Sequence, residues 1–368
     1  MNLFDKLKKQ PAEPEIIIES NSPVTDIQAF VEKSDTSYYF YLWGNPAGEQ
    51  KFFKSCWICN RKKAPKTLDT EAMKQGRAPM MPEEYVAHDL KGMELDADKL
   101  EIVWFAEGDG ASLLGDGKLL CVIPGWADVE KRFFGYCRYA KGTGNYAWDL
   151  AQAEATVMNR TQSNQAFWKY FDTDFWPEVQ TAHMEALEQF FGKHERYFAI
   201  DGGKFPPKAL VSGTREGVVY GITAGVSLIP MPKVEQYVEE VNKHHRIELG
   251  FATIEQYRSL CDFFYSTMSS LAAYPWKEIT FFAHGHTVPY RGIKGFEALL
   301  FINPRMIPEL EQPAYKDFVD DDMSLLWLMP ITAQEYELAV NEGSEALIKC
   351  ATDLKRVHIF EGKPKFIK

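Results

Sequence analysis

The chain has 368 residues, of which 45% are hydrophobic, 14% aromatic and 25% charged; this excludes intrinsic disorder and exceeds what one typical core absorbs. Its formal net charge of −11, from 52 acidic against 41 basic side chains, repels phosphate backbones and excludes nucleic acid as the main partner. That charge suits solubility, or a protein partner carrying a basic patch.

Residues 1–20 read as a short basic amphipathic stretch followed by a Pro/Glu segment, without the apolar core of a secretion signal. Residues 37–43 (SYYFYLW) and 50–59 (QKFFKSCWIC) are aromatic strands on either side of a turn composition at 44–48, the pattern of a hairpin. Residues 60–97 are polar and aperiodic, a long loop with one short helix around 70–75. Two strands follow at 100–106 (LEIVWFA) and 118–124 (KLLCVIP), joined by a Gly- and Asp-rich connector at 107–117. Residues 149–171 have helical composition, interrupted by polar residues near 159–164. Asp174 is placed to cap a new helix with Pro177 in its first turn, and Phe175, Val179, Met184, Leu187, Phe190 and Phe191 recur near helical spacing.

A domain boundary is predicted at that helix. A β-rich domain would span 1–171 and a second domain 172–368, giving an α+β chain of two domains. Beyond the boundary, strands are predicted at 217–229, 246–253, 278–283, 297–303 and 324–331. A helix at 254–272 presents Leu260, Phe263, Phe264, Met268 and Leu271 on one face. The continuous apolar run around Trp327 predicts a strand buried on both faces. Thr332 and Glu335 form a capping box, Gly343 ends that helix, and Ser344 caps the next, over 345–351. No apolar run approaches the ~20 residues of a membrane span. Six cysteines at 56, 59, 121, 137, 261 and 350 have no small-scaffold spacing, so reduced thiols and a cytoplasmic home are expected.

Few motifs carry chemistry. His284 and His286, two apart on a strand, face one way and could begin a zinc site, with a third ligand from Asp320–Asp322 or His244–His245. They read rather as hydrogen-bonded side chains at a strand end, and no metal or cofactor is expected. Cys56 and Cys59 have the spacing of half a zinc ribbon, but no second pair follows, so they read as buried thiols. The 107–117 connector has neither dinucleotide-binding nor P-loop spacing, and no nucleophile elbow occurs. Asp317, Asp320, Asp321 and Asp322 read as a solvated loop, or as the acidic contact for a basic partner. The basic cluster Arg61, Lys62, Lys63 and Lys66 is too small for a nucleic-acid stripe.

In the C-terminal half, several blocks occur in order: VVYGITAGVSLIP (218–230), RIELGFAT (246–253), CDFFYSTMSSLAAYPW (261–276), AHGHTVPY (283–290), NPRMIPELEQP (303–313) and LLWLMPITAQEYELAVNEGSEALIKC (325–350). Together they resemble the Suppressor-of-fused family over roughly 178–355. The resemblance implies a mixed α/β domain with a twisted central sheet and flanking helices, acting as a protein-interaction module. Animal members sequester a transcription factor by holding a short extended peptide as an added β-strand; bacterial members resemble immunity proteins of toxin systems. By position, Tyr220 and Ile222 on one central strand, and its neighbour 246–253, are the candidate peptide contacts. The second, C-terminal domain of the animal family has no counterpart here. The expected function is therefore sequestration of a protein partner, most concretely a basic toxin, with no membrane role. The alternative is a metal-dependent enzyme using His284, His286 and nearby carboxylates, which would require a cleft of converging, perturbed ionisable groups.

Overall fold

The computed structural model describes residues 13–44 and 52–367. The basic stretch expected at 1–12 and most of the turn expected at 44–48 lie outside the described residues. The chain divides into two compact units, Met1–Trp168 and Lys169–Lys368, each a mixture of sheets and short helices.

In the first unit β1 (Glu15–Asn21), β2 (Ile27–Lys33), β3 (Ser37–Gly44) and β4 (Phe52–Asn60) form an antiparallel sheet in chain order. The aromatic runs pair as expected, Trp43 opposite Phe53 and Tyr39 opposite Trp57. Strand alternation sends Ala29, Val31, Phe40, Leu42 and Cys56 into the core. The opposite face carries Phe30, Glu32, Tyr39, Tyr41, Trp43 and Phe53. The short helix α1 (Thr70–Lys74) follows where predicted. A second sheet takes β5 (Leu100–Trp104), β6 (Ala111–Gly115), β7 (Lys118–Ile123), β8 (Tyr136–Cys137) and β9 (Trp148–Asp149) in order.

Two expectations fail here. The 107–117 connector is not a loop: its apolar centre forms β6, bracketed by turns with positive φ at Gly108, Asp116 and Gly117. Nor is the following helix broken at 159–164; α2 (Glu154–Tyr170) runs straight through. Two of the polar residues there point inward: Thr161 Oγ1 lies 2.7 Å from Ser112 Oγ, and Asn164 Oδ1 accepts from the Ala106 amide at 2.9 Å.

The second unit opens with α3 (Trp176–Phe191), which has Pro177 in its first turn; Phe175, not Asp174, precedes it, with no side-chain cap. Its sheet comprises β10 (Arg196–Ala199), β11 (Ala209–Arg215), β12 (Val218–Ala224), β13 (Arg246–Ile254), β14 (Thr287–Pro289), β15 (Ala298–Ile302), β16 (Met323–Ile331) and β17 (Ile359–Phe360). The order is β10-β11-β12-β13-β16-β15-β14, and β17 also pairs with β13. The two central contacts of β13, to β16 and to β17, are parallel. Strands so placed are buried on both faces, and all nine residues of β16 are buried, Trp327 at 2% exposure.

Helices α4 (Cys261–Leu271), α5 (Tyr274–Lys277), α6 (Ala333–Glu342) and α7 (Ser344–Lys349) complete the unit. Phe191 of α3 stacks on Tyr220, whereas Tyr265 of α4 covers the adjacent Gly221. Neighbouring strand residues point to opposite faces, so α3 and α4 cover the sheet from opposite sides. The strand expected at 278–283 does not form, because α5 occupies the approach and the chain reaches the sheet only at β14. The capping box is present, with Glu335 Oε2 accepting from the Thr332 amide at 2.8 Å. Ser344 does not cap α7; its hydroxyl donates to the Gly285 carbonyl.

Candidate binding groove

Gly250 of β13 lies opposite Trp327 of β16. A Cβ at Gly250 would sit 2.7 Å from the indole Cε3, so only glycine lets the ring lie flat across the strand. Tyr220 of β12 stands beside it, stacked on Phe191 with ring centroids 4.3 Å apart. Phe191 meets Trp327 edge to face at 6.3 Å, and the His358 ring lies 4.9 Å from the indole. These rings floor an open groove of about 300 Å³. Arg215, Lys355 and Arg356 line it together with Glu216, Glu309 and Glu311.

Electrostatics make the floor neutral. Burial, followed by the nearby Lys365 and Arg356 charges, pushes His358 down to about 4. Burial, followed by Glu195 and Glu188, raises Tyr220 to about 12. At neutral pH the groove therefore offers an uncharged imidazole and phenol on an apolar floor. Nδ1 of His358 is buried with no hydrogen-bond partner among the described residues. Such an unpaired group costs about 1–3 kcal/mol.

A second constellation has catalytic residue types. His183 Nε2 lies 3.2 Å from Ser227 Oγ, and Ser227 Oγ donates to Glu248 Oε1 at 2.6 Å. Exposure is 3% at His183 and 0% at both Ser227 and Glu248, so no substrate reaches the hydroxyl. Glu248 also accepts from the amides of Gly225 and Ser227 at 2.9 and 3.1 Å. The network ties down the turn that follows β12; its role is structural.

The residues singled out in the sequence fall in several places. Tyr220 is part of the groove floor, but Ile222 is fully buried in the core. Both lie on β12, which is hydrogen-bonded to β11 on one side and β13 on the other. β13 is likewise flanked, so neither of these strands has a free edge for a peptide. The terminal strands are β10 and β14.

The aspartate run is not one solvated patch. Asp317 and Asp320 are exposed, whereas Asp321 lies 2.7 Å from Arg246 Nε and 2.9 Å from His245 Nε2. Asp322 pairs with Arg305 at 2.7 Å.

His284 Nδ1 accepts from the Asn303 amide at 3.0 Å and Nε2 faces Glu345 at 3.0 Å. Nδ1 is thus taken by a hydrogen bond, while Nε2 is in ion-pair range of Glu345 without forming a hydrogen bond. Burial depresses His284, partly offset by Glu345, and burial also depresses His286 beside the Phe281 ring. Among the described residues no three His, Cys, Asp or Glu side chains converge as metal ligands. Cys56 and Cys59 are buried, and burial raises both thiols.

Sequence reasoning missed His358, Lys355 and Arg356, which sit beside the two-residue β17, a strand with no signal of its own. Gly250 opposite the apolar run of β16 was the readable hint.

A search of curated proteins finds no match to the chain. The family model of the Suppressor of fused protein (SUFU) matches residues 205–362, a span that includes β11 to β17 and the whole groove except Phe190 and Phe191. The second unit therefore carries a Suppressor-of-fused-like domain, from a family of protein-binding domains generally without enzymatic activity.

Proposed function

We propose that the protein works by binding another protein in the groove of its Suppressor-of-fused-like domain, most concretely as an immunity protein that sequesters a cognate toxin. The carrying observation is the aromatic floor of Phe191, Tyr220 and Trp327 with the uncharged His358 ring beside it. An extended segment can meet such a floor with one apolar side chain and one backbone or side-chain hydrogen bond. Rim charges of both signs then set register. Asp317, Asp320 and the net charge of −11 support steering of a basic partner toward the chain.

The test uses the partner isolated with the wild-type protein and titrated by calorimetry. His358→Gln and the double change Glu309→Lys with Glu311→Lys should each weaken binding at least tenfold while the melt of the free protein stays cooperative. Asp317→Asn with Asp320→Asn should slow association and flatten its salt dependence, with little effect on dissociation. Unchanged affinity in both groove variants would overturn the reading.

A further inference from the structure

The outer face of the first sheet is unusual for an antiparallel sheet with its core on the other side, because it is aromatic where polar residues are the norm. Phe30 and Tyr41 stack at 5.2 Å, Tyr41 meets Phe53 at 5.7 Å, and Trp43 meets Phe53 edge to face at 6.2 Å. The row grades from buried to open: Phe30 is 6% exposed, Phe53 51% and Trp43 52%. These rings line a cavity of about 640 Å³.

Its walls are acidic. Among the described residues Glu13, Glu32, Asp35 and Asp69 line it together with Lys62 and Arg77. Glu32 projects from β2 on the same face as the rings, opposite Tyr39. It is half-buried; burial raises its pKa, partly offset by a hydrogen bond from Tyr41. A carboxylate partly stripped of water, beside π faces and without an ion pair among the described residues, favours a positive charge brought from outside.

We infer that this face is a binding site for an arginine-bearing segment of a partner protein, with a guanidinium stacked on Trp43 and Tyr41 and hydrogen-bonded to Glu32. Arginine fits better than lysine: its flat, weakly hydrated head stacks on rings and can grip a carboxylate through two parallel N–H groups. The cavity is several times larger than one guanidinium, so it takes the flanking backbone as well. This site lies in the first unit and does not rest on the groove reading.

The experiment uses the full chain and a fluorescein-labelled Gly-Gly-Arg-Arg-Gly-Gly peptide, read by anisotropy, with lysine and citrulline counterparts. Saturable one-to-one binding is expected. Trp43→Ala and Glu32→Gln should each weaken it at least tenfold, and Phe53→Ala severalfold. The lysine peptide should bind several-fold less tightly and the citrulline peptide should show no saturation. Trp43 and Phe53 are half exposed, so the fold tolerates their loss, and thermal melts confirm it. His358→Gln should bind the peptide like wild type, which separates this site from the groove. Three outcomes overturn the inference: no saturation by the arginine peptide, equal binding of the lysine peptide together with an unaffected Trp43→Ala (diffuse attraction to an acidic chain), or full displacement by tetramethylammonium at peptide-like concentrations (a small-cation site).

Discussion

Arg246 is 2% exposed, and its guanidinium is held by Asp321 Oδ2 at 2.7 Å and by the carbonyls of Ser227 and Leu228 at 3.0 and 2.6 Å. Removing one partner of such a pair leaves an uncompensated buried charge, so Asp321→Asn should cost about 3–5 kcal/mol in urea denaturation. Asparagine at Asp320 should cost almost nothing. Burial alone would raise Asp321, but His245 and Arg246 outweigh it and hold the carboxyl below its usual range. Its folded pKa is depressed, so its contribution is complete above the ordinary aspartate range and is lost as pH falls through the lowered value. The gap between wild type and Asp321→Asn should narrow only in that acid window. His358 acts in a different window. Its folded pKa of about 4 lies below the ordinary histidine value of 6.5, so between those limits only the unfolded chain takes up the proton. Stability should fall by roughly 2–3 kcal/mol as pH drops from 6.5 to 4, a slope that His358→Gln should remove. None of this was legible in the aspartate run itself. Four acids in a loop look alike until a buried arginine 75 residues away selects one.

β16 shows what a sequence does reveal about an element. Its continuous apolar run predicted burial on both faces, and the strand lies between β13 and β15 with every residue buried. Trp327→Ala should cost about 3–5 kcal/mol, measured by denaturant melts. Gly250→Ala should also destabilise, since its methyl would collide with the same indole. β3, β4, β13 and β15 were readable for similar reasons, having enough residues for a period to emerge. β8, β9 and β17 have two residues each and exist only because a neighbouring strand pairs with them. β1 and β10 were missed because charged and exposed residues break their alternation. α2 misled in the other direction: Thr161 and Asn164 were taken for a break, yet a helix can turn polar residues inward when backbone and side-chain partners wait there.

On the scale of the molecule, we propose that the second unit folds alone: a fragment covering 169–368 should melt cooperatively, and an aggregate without a transition would mean that it needs the rest of the chain. Protein purified without chelator should carry well under one zinc per chain by elemental analysis, since Nδ1 of His284 is taken by the Asn303 amide and no three ligating side chains converge among the described residues. The family of this unit was legible in ordered blocks of sequence, whereas its groove was not, because the floor is assembled from residues more than a hundred positions apart. The same long-range assembly appears at Glu335. This fully buried carboxylate accepts the backbone amides of Lys365, Phe366 and Ile367 at 2.9, 2.7 and 3.2 Å, and Thr253 donates to the Phe360 carbonyl from 107 residues away. Synthesis runs from the other end. A nascent chain on the ribosome holds β13 and α6 ready while the amides they require have not yet been made, so the unit stays unlatched until residues 365–367 clear the exit tunnel. Ribosome-bound chains halted at residue 362 should therefore remain protease-sensitive in this unit, while chains extended past 367 by a linker long enough to span the tunnel should become resistant.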